Sequence, residues 1–198
     1  MDILEVLTGQ LGGDALGQIS RQLGTDEKTA GNATAAGVTA LIGALSRNAG
    51  KADGAAQLDN ALAKDHDGSV LDNLTGFLGN PDTGTGQGIL RHVLGGQQRQ
   101  VESGLSQATG LDSAGAGKLL AMLAPVVMGA LGKAKQQGKL DSSGVSSLLG
   151  EQRAEISRRD PQAMGMLDRL LDADGDGDFD IGDAAKHGMG LLGKLFNK

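Results

Sequence analysis

Gly37-Val38-Thr39-Ala40-Leu41-Ile42-Gly43-Ala44-Leu45 is the stretch that decides the fold class. Val38, Leu41, Ile42 and Leu45 stand at i, i+3, i+4 and i+7, the spacing of an amphipathic helix. Between them Gly37, Ala40, Gly43 and Ala44 leave room for a second helix to approach closely. The pattern returns 86 residues later as Ala124, Val127, Met128 and Leu131. At this offset residues 3–48 match residues 89–134 without a gap. Ile3-Leu4 answers Ile89-Leu90, Gly9 answers Gly95, and Ile19-Ser20 answers Leu105-Ser106. Gly24 answers Gly110, Asp26 answers Asp112, and Gly43-Ala44-Leu45 answers Gly129-Ala130-Leu131. Self-similarity of this length indicates duplication. The expected fold is all-α, two duplicated three-helix units forming a helical bundle.

Each copy reads as a short helix, a second helix and a long third one. Ile3, Leu7 and Leu11 share one face of the first. Leu16, Ile19 and Leu23 mark the second, against Glu102, Leu105 and Thr109 in the later copy, where Val101 offers an apolar substitute for Leu16. Gly24 and Gly110 suit a helix C-cap, and Asp26 and Asp112 an N-cap or first-turn acid. Pro125 inside the later third helix removes a backbone donor and predicts a kink. With three phenylalanines and no tyrosine or tryptophan, the core must be Leu, Ala, Val, Ile and Met, so density requires close helices.

The connector, residues 51–88, predicts a short helix around Leu58, Ala61 and Leu62, then a turn at Asp65-His66-Asp67-Gly68. A further helix follows with Val70, Leu71, Leu74 and Leu78, then a flexible linker at Asn80-Pro81-Asp82-Thr83-Gly84-Thr85-Gly86. A polar stretch after residue 134 predicts a helix from Ser142 to Arg159. The organisation expected is a duplicated helical domain over residues 1–150 and a second unit over residues 151–198.

Three stretches carry a resemblance to a known family: His66-Asp67-Gly68-Ser69-Val70-Leu71-Asp72-Asn73-Leu74, Gly88-Ile89-Leu90-Arg91-His92-Val93-Leu94-Gly95-Gly96, and Ala124-Pro125-Val126-Val127-Met128-Gly129. They resemble the bacterial family of unknown function DUF937, also described as YidB-like. The resemblance covers roughly residues 1–150. It implies an all-helical fold, homeodomain-like in part, and supplies no activity.

Residues 172–183, Asp172-Ala173-Asp174-Gly175-Asp176-Gly177-Asp178-Phe179-Asp180-Ile181-Gly182-Asp183, have a different character. Their spacing resembles the calcium loop of the EF-hand family, and its closing aspartate the dockerin-type variant. The resemblance implies a Ca2+ site with side-chain ligands from Asp172, Asp174 and Asp176. The carbonyl of Asp178, Asp180 directly or through water, and Asp183 complete the shell. Asp183 stands where the EF-hand has glutamate, and its shorter arm favours weaker binding or tolerance of Mg2+. Six aspartates in twelve residues repel one another without a counter-ion. Pro161, Met166, Leu167, Leu170 and Leu171 predict a helix before the loop. Ala184, Leu191, Leu192, Leu195 and Phe196 predict one after it, weakened by Gly188, Gly190 and Gly193.

Composition narrows the function. Of 24 acidic residues six lie in this loop, so the remaining 18 acids face 18 bases and the body is formally neutral. Neutrality removes a barrier to self-association, and nucleic acid finds neither basic excess nor stacking aromatics. Absence of cysteine excludes disulfides and thiol chemistry. The most apolar run, Leu119 to Leu131, is too short for a bilayer and reads as a buried helix. Met1-Asp2 begins no visible signal peptide, so the default location is cytoplasmic, with an extracellular one by another route as the alternative. His66, His92 and His187 show no metal spacing. Gly84-Thr85-Gly86-Gln87-Gly88 has neither the preceding strand nor the following lysine of a phosphate loop. An EF-type reading of the Asp65–Gly68 turn would place Ala63 and Leu74 at ligand positions, so a polar turn is expected. The function expected is a non-enzymatic, calcium-binding helical module that self-associates as a homo-oligomer. A DNA-associated regulator and a hydrolase with an unrecognised site are the alternatives.

Overall fold

A computed structural model describes residues 3–162 together with Met164 and Gly165. Within them the fold is all-α, and no residue is in a strand. The helices are α1 (Ile3–Gln10), α2 (Asp14–Leu23), α3 (Glu27–Ala49), α4 (Ala52–Lys64), α5 (Leu74–Gly79), α6 (Thr83–Leu94), α7 (Gln98–Thr109), α8 (Ser113–Gly138) and α9 (Ser142–Arg159). Short 3-10 turns at Ser69–Asn73 and Gly95–Gln97 lead into α5 and α7.

α8 is the axis. From Leu119 to Gly132 every residue is buried, and α1, α3, α4, α6 and α7 pack around it. By length and composition it is the one described helix able to cross a membrane, yet it is enclosed by the other helices. Pro125 sits inside it without ending it.

The duplication is legible in atomic detail over the second and third helices. Gly24 and Gly110 both take left-handed C-cap conformations, with φ of 64° and 78°. Ser20 Oγ donates to the carbonyl of Thr25, and Ser106 Oγ to that of Leu111, both at 2.6 Å. Asp26 accepts from the N–H of Thr29 (2.9 Å) and Asp112 from that of Gly115 (2.6 Å), which caps α3 and α8. Buried Ala15 and Ile19 answer buried Val101 and Leu105, so Val101 stands in for Ala15 rather than Leu16.

The first helix breaks that register. In α1 the buried residues are Ile3 and Leu7, with Leu11 just after; in α6 they are Gly86, Leu90 and Leu94. The offset there is 83, so the gapless match is corrected by a slip of three residues. The break between the two helices spans three residues in both copies, 11–13 and 95–97. The three extra residues therefore extend the end of α6 by one and the start of α7 by two. The linker expected at residues 80–86 is corrected as well. Asp82 accepts from the N–H groups of Gly84 (3.0 Å) and Thr85 (3.2 Å) and from the Thr85 hydroxyl (2.7 Å), starting α6 at Thr83. A local cap and the burial of Gly86 outweigh the helix-weakening glycines.

α9 runs unbroken through Gly150 and packs on α3 and α4, burying Val145, Leu148, Leu149, Gln152 and Ile156. The Oε1 of Gln152 accepts from the N–H of Leu4 (3.2 Å), and Ser146 Oγ donates to the carbonyl of Ala49 (2.8 Å). Cations also join elements. Lys118 Nζ donates to the carbonyl of Gln22 at the end of α2 (2.6 Å), and Lys135 pairs with Asp59 of α4.

Candidate functional site

The aspartates expected to hold a cation, Asp172, Asp174, Asp176, Asp178, Asp180 and Asp183, all lie outside the described residues, as does His187. As a donor set they suit a hard divalent ion, which takes oxygen ligands. The described body carries a site of its own.

That site is a cleft of about 700 Å³ between the C-terminal end of α3, α4, the turn after α4 and α6, with Met128 of α8 also lining it. Backbone packing builds it. Any β-carbon on Gly54 would overlap the carbonyl of Asn48, which draws the start of α4 against α3. The Asn48 amide donates to the carbonyls of His92 (3.2 Å) and Val93 (3.1 Å), tying α3 to the end of α6. The turn is seated on α8 by glycine on both sides. Gly68 adopts φ 99° against Gly129 and Lys133, and the carbonyl of His66 rests on Gly132. Asp67 then accepts from the N–H of Ser69 at 2.9 Å, so the segment is the polar turn its sequence predicts.

Leu45, Leu58, Ala61, Ile89, Val93 and Met128 supply the apolar lining, and Asn48, Gln57, Asp65, His66, Thr85 and His92 the polar one. Among the described residues Asp65 is the one of fixed charge in the lining, which contains no lysine or arginine. His66 is half-buried, and desolvation holds its pKa below the ordinary histidine value although Asp65 and Asp67 pull it upward. The exposed His92 donates from Nδ1 to the carbonyl of Gly88 at 2.9 Å, since a carbonyl only accepts. That bond directs Nε2 away from the helix.

Parts of all three motif stretches therefore meet in one cleft: His66 from the first, Gly88, Ile89, His92 and Val93 from the second, Met128 from the third. The sequence shows no metal spacing between the two histidines and nothing else that links them, because only the packing of both their elements on α8 brings them to one place. Glycine-rich residues 84–88 lie within α6. Among the described residues no three of His, Asp and Glu gather as a metal site would require. What the cleft offers is an apolar surface with a hydrogen-bonding rim that carries one carboxylate, the makings of a small-molecule pocket.

A family model described as "Bacterial protein of unknown function (DUF937)" matches residues 5–134. No curated protein and no solved structure matches the chain.

Proposed function

The chain belongs to the bacterial family of unknown function DUF937, and from that premise we propose that it is a non-enzymatic, calcium-binding helical protein, a self-associating structural module whose C-terminal segment is ordered by Ca2+. The single observation carrying this reading is the aspartate pattern of residues 172–183, with Gly177 at the position where the loop must turn sharply. An empty loop holds six like charges together. A bound cation neutralises them, so that binding free energy becomes folding free energy for the residues on either side. Asp172, Asp174 and Asp176 would supply side-chain oxygens, Asp178 its carbonyl, and Asp180 and Asp183 the remaining contacts. Phe179, at the eighth place, suits pairing with a second copy of the loop, which is the basis of the proposed self-association.

Calcium titration calorimetry with parallel mass measurement, with and without chelator, tests the reading. Heat of binding is expected for the natural chain and its loss for the Asp174→Asn, Asp176→Asn variant. Absence of heat in millimolar calcium overturns the calcium site; binding without a change of mass overturns the self-association.

A further inference from the structure

We propose that residues 166–171 dock into an apolar groove formed by α1, α3 and the end of α9, and so hold the aspartate loop against the helical body. The groove measures about 610 Å³, and Leu4, Leu7, Leu11, Leu16, Val38 and Ile156 line it. Thr34 lines it too, and its hydroxyl is buried without a hydrogen-bond partner.

The direction of the chain selects the occupant. Arg159 and Asp160 stand at the edge of this groove. Immediately after them the N–H of Met164 donates to the carbonyl of Asp160 at 3.2 Å, and Met164 is only 3 % exposed. The last described residues thus turn back onto the body beside the groove. Continued as a helix, the sequence would place Met164, Met166, Leu167, Leu170 and Leu171 on one arc and leave Asp168 and Arg169 outside it. Six further residues at 1.5 Å each reach about 9 Å along the groove. A tethered segment competes at millimolar effective concentration, which favours it over a second copy in dilute solution. This docking requires no metal, so failure of the calcium site leaves it standing.

The chain contains no cysteine, so a single introduced pair reports without background. Ala35 is exposed on α3 and lines the groove; Gln100 is exposed on α7 and does not. Under mild oxidation, in calcium and in chelator, Ala35→Cys with Leu171→Cys is expected to close an intrachain disulfide at monomer mass. Gln100→Cys with Leu171→Cys is expected to stay reduced. In the full chain, Leu167→Asp with Leu171→Asp should make backbone amides of α1 and of residues 30–40 exchange with solvent about tenfold faster. Interchain disulfides at the Ala35 pair would assign the groove to a second copy. Equal cross-linking of the two pairs, or unchanged exchange, would overturn the proposal.

Discussion

Gly86 of α6 lies against the carbonyl oxygen of Ala121 on α8, so closely that any β-carbon at residue 86 would overlap that oxygen. Pro125 is four residues beyond Ala121 and has no N–H to offer it. The helix therefore leaves this carbonyl without its usual donor where α6 crosses, and a glycine Cα–H can approach it. The proline and the glycine are two halves of one contact.

A direct consequence concerns two glycines of the same helix. Gly86→Ala forces α6 off α8 and should destabilise the fold by about 1–3 kcal/mol, the usual cost of overpacking. Gly88, two residues on, has open space where a β-carbon would go. Gly88→Ala should stabilise by about 0.5–1 kcal/mol through helix propensity alone. Urea unfolding of both variants decides the matter; a Gly86→Ala protein as stable as Gly88→Ala would remove the crossing from the account.

The same crossing explains what the sequence could and could not disclose. Gly24, Asp26 and Ser20, with their partners 86 residues later, act through neighbours a few positions away, and local signals of that kind are readable in a single chain. Val38, Leu41, Ile42 and Leu45 announce α3 because their period reports a buried face. Thr83-Gly84-Thr85-Gly86 reads as a loop since nothing local shows that residue 86 must be bare to meet Ala121. The slip from an offset of 86 to 83 is hidden for a similar reason: only burial tells Leu7 that its counterpart is Leu90. The cleft of His66 and His92 depends on tertiary packing around α8, which no pattern within either segment encodes.

Acid should weaken the fold through four carboxylates that accept backbone N–H groups, three at helix N-caps (Asp26, Asp82, Asp141) and one in the turn before α5 (Asp67). Backbone N–H groups of Thr29, Ser69 and Gly144 hold Asp26, Asp67 and Asp141 below the usual carboxylate range; the Thr85 hydroxyl, then its N–H, does the same for Asp82. Because the unfolded chain takes up these protons first, the stabilisation is complete above the unfolded value of about 3.9. It is lost as pH falls through that value toward the lower folded ones. Stability measured by urea unfolding between pH 6 and pH 3 should drop along this limb. Replacing all four with asparagine, which still caps but does not titrate, should flatten it; superimposable limbs would refute the assignment.

His66 should titrate below ordinary histidine in the folded protein, because burial opposes its charged form. Its neutral form is then the one the cleft accommodates. As pH falls through the unfolded value of about 6.5, the unfolded chain is protonated first and the fold loses stability. Proton NMR of the ring, assigned by comparison with His66→Gln, should show a midpoint below that of the unfolded chain. The same variant should lose the stability change between pH 7 and pH 5. A midpoint at or above 6.5 would mean that Asp65 and Asp67 outweigh desolvation, and that the cleft carries positive charge at mildly acidic pH.

α9 should behave as part of the body's core. Gln152 is 6 % exposed and its Oε1 accepts from the N–H of Leu4, one of the first-turn donors that α1 cannot satisfy internally. Gln152→Ala removes that acceptor and leaves a void, so a loss of about 1–3 kcal/mol is expected. Gln152→Glu retains an acceptor at the start of α1, where the helix dipole favours negative charge. Burial opposes that charge, so the variant should keep the protection of the Leu4 amide without restoring full stability. Hydrogen exchange sharpens the test, since in Gln152→Ala the amide of Leu4 should lose protection before those of α8. If α1 keeps its protection in that variant, the contact between α9 and α1 is incidental and α9 is held by its apolar face on α3 and α4 alone.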